Sequence, residues 1–311
     1  MTFILYRDLY IIMICSPVIK WAGGKTQLLS VINERLPNDL HNIETYIEPF
    51  IGGGSVLFNI VPRLPNVKNI YINDLNHKLI NIYNVIKDKP NELINLLKSL
   101  KDEYNSSQDK ESYYYNIRNK FNEYLYTKDS IDPLYAAYFI FLNKTCFNGL
   151  YRENSNGYFN VPWNRRNTNI AIYDHDNIIN IHTFFNEYNV NILTGTYDEL
   201  FENININDYS KSFIYFDPPY RPLSKSGFIS YTKNGFNDDD QRNLAYIFNT
   251  LSYNHAYCMM SNSDPKNTNT NDNFFDDLYQ KYNIERIYAN RCINSDTQNR
   301  GHITELLINN Y

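Results

Sequence analysis

Segments of strand character alternate with segments of helical periodicity at both ends of this chain, and a stretch without strand alternation, 90–145, separates them. Short apolar strands read at 45–50 (TYIEPF), 69–74 (NIYIND), 189–195 (NVNILTG), 212–217 (SFIYFD) and 256–262 (AYCMMSN), with a terminal pair near IERIYAN and ITELLIN. Helical spacing runs through Leu28, Leu29, Ile32 and Leu36, then Val56, Leu57 and Ile60, then Leu79, Ile80, Tyr83 and Ile86. This alternation predicts an α/β sheet, and the middle block predicts an inserted, helical domain. Residues 146–170 are polar, basic and rich in Gly and Asn, the composition of a loop or hairpin.

With 311 residues, 43% hydrophobic and 20% charged, the chain suits one large domain or a core domain carrying an insert. The excess of Asn, Ile, Lys and Tyr reads as the codon bias of an AT-rich genome, because regular apolar periodicity interrupts the runs. A net charge of −5 argues weakly against a nucleic-acid partner, since neutralising phosphates supplies most DNA affinity. Yet Lys144, Arg152, Arg165 and Arg166 face only Glu153 between 144 and 166, a local charge of +3. The four cysteines are scattered without metal-ligand spacing, which points away from zinc or disulfides and toward a reducing cytoplasm. The first fifteen residues are apolar but broken by Arg7 and Asp8, and too short to span a bilayer. They read as a loosely attached extension, with Met13 as an alternative start.

Three constellations carry chemistry. In EPFIGGGS (48–55) a Gly-rich turn between strand and helix lets backbone approach a ligand closely, or simply packs well. Asp74 ends the next strand 22 residues after Gly52, the place of an acid that grips ribose hydroxyls; a helix N-cap is the plainer alternative. Lys25, in AGGKT, is not part of a phosphate-binding P-loop. One ammonium beside a Gly turn suits a carboxylate such as the methionine end of S-adenosylmethionine, or is merely solvated.

The second constellation is FIYFDPPY (213–220). The strand runs directly into Asp217, and Pro218 and Pro219 fix the backbone without adding N–H donors. One carboxylate and one carbonyl then accept from the two hydrogens of an amino group, while Tyr220 offers a face for a planar base. An adenine N6 has its lone pair delocalised into the ring. Two acceptors favour its pyramidalisation and return density to nitrogen, which then attacks a methyl sulfonium in line, with no metal required. The third is LNKTCFNGLYRENSNGYFNVPW (142–163). Arg152 suits a guanine edge and Asn148 an adenine edge or phosphate, while Phe147, Leu150, Tyr151 and Pro162 offer apolar surface to a thymine methyl or a gap in the stack. A surface hairpin with a buried aromatic explains the same residues equally well.

Taken together, KWAGGKTQLL (20–29), EPFIGGGSVLFN (48–59), IND (72–74), LNKTCFNGLYR (142–152), FNVPW (159–163) and FDPPY (216–220) resemble the Dam-type, D12 class DNA adenine-N6 methyltransferases, in particular the branch that modifies GATC. PLSKSGFISYTKNGF (222–236) is similar to the loop after the family's catalytic turn. The resemblance covers most of 17–311. It implies an α/β, Rossmann-like S-adenosylmethionine-dependent methyltransferase sheet with a mainly helical DNA-recognition insert. The catalytic parts would be 16–75 and 188–311, the target-recognition domain 76–187, and 1–15 the extension. Carried over by motif, Trp21, Lys25, Gly52, Gly53, Gly54, Asp74 and Asp217 would hold S-adenosylmethionine. Asp217, Pro218, Pro219 and Tyr220 would act on a base flipped out of double-stranded DNA. Lys20 and Arg152 would meet guanines, Leu150 and Pro162 the thymine, and Phe147 the stack, with Asn148 beside them. Trp163 stands where a smaller aromatic is usual. A monomer with no metal or membrane is expected, either protecting DNA from a separately encoded restriction endonuclease or acting as an orphan regulator. The alternatives are an RNA adenine or protein-glutamine methyltransferase, and a non-catalytic DNA-binding module.

Overall fold

The computed structural model describes residues 14–127, 130–206, 208–222, 235–289 and 303–311. Met13 and the residues before it, Cys292, and most of the 222–236 segment lie outside these. Among the described residues seven strands form one sheet: β1 (Thr45–Glu48), β2 (Asn69–Asp74), β3 (Val190–Thr194), β4 (Ser212–Phe216), β5 (Tyr257–Ser263), β6 (Asn283–Ala289) and β7 (Ile303–Asn309). Their order is β3-β2-β1-β4-β5-β7-β6. The first five pair in parallel, and β7 runs antiparallel between β5 and β6, with Met260 opposite Ile308 and Arg286 opposite Leu306. This is the Rossmann-like methyltransferase sheet that the sequence predicts.

The central strands lack polar alternation because both faces are covered. Tyr46, Phe213, Tyr215, Met259 and Leu307 enter one core, while Ile47, Ile214, Phe216, Met260 and Leu306 enter the other. The first core is built with α1 (Leu29–Glu34), α2 (Ser55–Ile60), α3 (His77–Asp88), α4 (Pro90–Ser106), α5 (Lys110–Glu123), α6 (Pro133–Thr145) and α7 (His175–Glu187). The second is built with α8 (Tyr197–Asn203), α9 (Asp238–Tyr253) and α10 (Phe274–Leu278).

The middle block is helical as expected, and its apolar core is continuous with one face of the sheet. Much of the tyrosine excess is packing: the Tyr135 ring stacks on Phe121 at 4.5 Å and on Tyr126 at 4.4 Å between centroids. The first helix is shorter than its periodicity suggests, ending at Glu34 before Leu36. Asn177 of α7 fastens the N-terminal side, accepting from Ser16 N and donating to Ser16 O, each at 2.9 Å.

From β1 the chain winds outward to β2 and β3, and from β4 outward the other way to β5. The winding reverses between β1 and β4. At such a switch point the two following loops diverge and leave a crevice at the carboxyl ends of the strands. Those loops are Pro49–Gly54 and Asp217–Tyr220, which the sequence singles out.

Candidate active site and nucleic-acid interface

Lys25 and Asp217 lie 192 residues apart in sequence and meet at this switch point, beyond the end of β4. Lys25 Nζ sits 2.6 Å from Asp217 Oδ1, a mostly buried ion pair. The same ammonium donates to Gly23 O at 2.6 Å and lies 4.6 Å from the centre of the Tyr220 ring. Lys25 is buried rather than solvated, and the carboxylate it meets belongs to the chain itself. Burial pushes the Asp217 carboxyl above its usual range, and the ammonium pulls it part of the way back.

The Gly loop is held from three sides. Asp74 Oδ2 accepts from Gly52 N at 3.1 Å, and Tyr83 OH donates to Gly52 O at 2.6 Å. Trp21 packs so closely that a Cβ on Gly52 would stand 3.0 Å from its Cδ1, and its ring stacks on Tyr151 at 5.3 Å. Gly54 has φ +78°, and a Cβ there would meet Phe58 Cε2 at 3.0 Å. Asp74 is not the N-cap of α3. Asn76 is, accepting from Lys78 N and Leu79 N at 3.1 Å, while Asp74 Oδ1 accepts from Asn76 N at 2.9 Å. Freed from capping, Asp74 faces the loop, and burial pushes its carboxyl up to about 6.

Sequence reasoning passed over Glu48, which is 2% exposed at the end of β1 and accepts from Tyr46 OH at 2.6 Å. Burial, with Asp217 nearby, raises its carboxyl well above the usual range. Its signal was an acid closing a short strand that is otherwise uncharged. Beyond the turn, Tyr220 OH donates to Glu305 Oε2 at 2.8 Å, and the Pro219 carbonyl accepts from Gln241 Nε2 at 3.1 Å.

The six residues singled out for DNA, Lys20, Phe147, Asn148, Leu150, Arg152 and Pro162, are all exposed. Phe147 leaves 51% of its surface to water and Leu150 37%, a high price for two apolar side chains in one turn. Buried Asn143, which sequence reasoning also missed, joins this edge to the Gly loop side. It accepts from Lys20 N and donates to Lys20 O and Gly149 O, each at 2.9 Å. Phe147 N donates to Pro162 O at 2.8 Å, and Arg152 Nε to Asn160 Oδ1 at 2.7 Å. The segment is a hairpin, bridged at Cys146–Trp163 and Glu153–Phe159. Trp163 is not part of its exposed edge; it is buried, and its Nε1 donates to Tyr104 OH at 3.0 Å.

Residues 21–293 match the family described as D12 class N6 adenine-specific DNA methyltransferase. The chain belongs to that family. This methyltransferase is 44% identical over 302 residues to the type II methyltransferase M.MjaIII of Methanocaldococcus jannaschii, covering 95% of this chain and 99% of the relative. It is 35% identical over 296 residues to type II methyltransferase M1.LlaDCHI of Lactococcus lactis subsp. cremoris, covering 95% of each. It is 31% identical over 292 residues to the DNA adenine methylase of Escherichia coli K12, covering 93% of each. None of the three is named for an RNA or protein substrate, and the methyltransferase acts on adenine in DNA. Among the described residues no helix is long and apolar enough to cross a membrane, and Cys15, Cys146 and Cys258 are free.

Proposed function

We propose that this methyltransferase takes its methyl group from S-adenosylmethionine and modifies the adenine of GATC after that base has left the duplex. The observation that carries the reading is Asp217 at the sheet's switch point, a mostly buried carboxylate held by the Lys25 ammonium at 2.6 Å. A glycine loop at positive φ at Gly52 and Gly54, packed against Trp21 and Phe58 and pinned by Asp74 and Tyr83, fits the same donor. When bound, S-adenosylmethionine supplies a methyl group on a positive sulfonium.

The chain's own residues do the rest. Trp21 and the Gly52–Gly54 loop line the donor's place, and Asp74 accepts from ribose hydroxyls. Asp217 and the Pro218 carbonyl accept the two hydrogens of the exocyclic amine, so the nitrogen regains its lone pair where it must attack. Lys25 keeps Asp217 charged and aimed until the amine arrives. Pro219 keeps the turn free of a competing donor. Tyr220 stacks on the extruded base, offsetting an unpairing cost of a few kcal/mol.

On the duplex, Lys20 and Arg152 read guanines, Leu150 and Pro162 meet the thymine methyl, Phe147 fills the stack, and Asn148 takes an adenine edge or phosphate. Residues 76–187 then serve target recognition, and 16–75 with 188–311 catalysis. The enzyme works in the cytoplasm as a monomer. A cognate endonuclease, encoded separately, is its partner in this reading; two relatives named type II methyltransferases support that context.

Modified-base sequencing of DNA from a methylation-free host expressing the chain tests the reading. N6-methyladenine confined to GATC supports it, and modification at another motif rejects the recognition assignment. Asp217→Ala should abolish turnover and spare much of the DNA affinity; near-normal turnover would remove Asp217 from the chemistry.

A further inference from the structure

Two prolines in succession leave the catalytic turn unable to hold itself, because Pro218 and Pro219 have no N–H with which to close a local hydrogen bond. Its shape must come from donors elsewhere. Gln241, fully buried on α9, supplies one: its Nε2 donates to Pro219 O at 3.1 Å. A capping box at the start of α9 delivers it, with the Asn237 side chain accepting from Asp240 N and the Asp240 side chain from Asn237 N. The other end of the Gln241 amide is also occupied, Oε1 accepting from Asn262 Nδ2 at 3.0 Å.

Asn262 is fully buried on β5, and its Oδ1 accepts from Arg221 N at 3.2 Å and Ser263 N at 2.9 Å. Ser263 Oγ donates to Arg221 O at 2.7 Å. The Arg221 guanidinium is tied to both Asp238 oxygens, at 2.7 and 3.0 Å, and to Asp272 at 2.7 Å. The backbone after the turn is thereby fixed at Pro219 O, Arg221 N and Arg221 O, while β4 fixes the backbone before it. Between these points the Pro218 carbonyl receives no donor among the described residues, and it is the acceptor the amine needs.

We propose that Gln241 and Asn262 are positioning residues for methyl transfer. By occupying the Pro219 carbonyl they turn the Pro218 carbonyl toward the target amine and set the rate of the chemical step without touching either substrate. This rests on the role given above to Asp217 and Pro218.

The test is a single-turnover rate per enzyme–DNA complex, on the duplex motif found by modified-base sequencing, so that any unfolded fraction drops out. Gln241→Met keeps the side chain's volume and loses the donor. It should slow transfer on the order of 10²-fold, the cost of an ångström-scale misplacement. DNA affinity and the 2-aminopurine signal of base extrusion should stay within twofold. Asn262→Asp keeps the acceptor for Arg221 N and loses the donor to Gln241, so it should slow the same step less. The double variant should be no slower than Gln241→Met. Asn249→Leu, at the far end of α9, loses the bond from Tyr282 OH and should leave the rate unchanged. A Gln241→Met rate within threefold of wild type, with Asp217→Ala inactive, overturns this proposal alone. An active Asp217→Ala overturns the site reading beneath it.

Discussion

Replacing Lys25 by Met leaves Asp217 with no cation beside it, and the result can be worked from the pair's surroundings. The side chains are 5% and 18% exposed, so the pair is mostly shielded from water. Breaking such a pair from one side typically costs about 3–5 kcal/mol. The carboxylate has an escape, because it can bind a proton. Neutralising a group of ordinary pKa about 3.9 costs about 1.4 kcal/mol per pH unit above that value, a ceiling of about 4 kcal/mol at pH 7 and about 1.5 at pH 5. Water reaching the exposed part of Asp217 lowers both, to about 3 and about 1 kcal/mol. The sign follows from linkage. Burial already raises this carboxyl and Lys25 restrains it, so the variant's folded state holds a proton that the unfolded chain releases. Its stability deficit therefore grows as pH rises from the ordinary pKa to the raised one. Urea unfolding at pH 5 and pH 7 measures both values, and adding Asp217→Asn, which removes the stranded charge, should recover most of the loss. A deficit below about 1 kcal/mol at pH 7, or one equal at both pH values, refutes the argument.

Gly54→Ala forces a side chain onto a backbone at φ +78° and against Phe58 and the Tyr83 hydroxyl. A loss of about 1–3 kcal/mol in urea unfolding is expected, with weaker S-adenosylmethionine binding because Tyr83 also pins Gly52. In the proposed role, the Asp74 carboxyl, pushed up to about 6, would accept from a ribose hydroxyl more strongly when ionised. Calorimetric affinity for S-adenosylmethionine should rise from pH 5 to 7 and level off above. The same raised value makes folding stability fall as pH climbs from about 4 to 6, because the native state holds that proton more tightly. Trp163→Phe loses one buried bond to Tyr104, about 1 kcal/mol, and should leave the methylated motif unchanged in modified-base sequencing. An altered motif would return Trp163 to the interface.

The parts of the site that use local backbone were legible in sequence. A strand entering Asp-Pro-Pro-Tyr and a strand entering Gly-Gly-Gly-Ser each announce a turn whose geometry depends on those residues alone, and the α/β alternation fixed where the turns fall. Contacts between remote segments were not legible. Nothing near Lys25 indicates that its partner is Asp217, and nothing in the periodicity of α9 distinguishes Gln241 from an ordinary polar residue until the fold brings it to Pro219. Asp74 illustrates a local rule losing to a neighbour: acid and cap compete for one helix start, and Asn76 takes the cap. Trp163 marks the opposite case, a residue in a recognition motif that the core of the helical block claims through Tyr104.

The chain's net charge of −5 does not decide its action on DNA, because at physiological salt a phosphate responds to the charges close to it. Asp217 faces Lys25, Asp238 and Asp272 share Arg221, Asp264 and Asp276 share Arg286, and Glu44 holds Lys68 and Lys211. Glu48 is buried with its hydroxyl donor. Lys20, Arg152, Arg165 and Arg166 are exposed, and among the described residues none of them pairs with a carboxylate. A paired charge contributes little field beyond about 8–10 Å at physiological salt, whereas an unpaired cation on an open edge acts on a phosphate at contact. On the proposed interface the duplex would meet the sign of the groups nearest to it: Arg152 lies in the hairpin that carries the exposed apolar residues, Arg165 and Arg166 follow it in sequence, and Lys20 is tied to its start through Asn143.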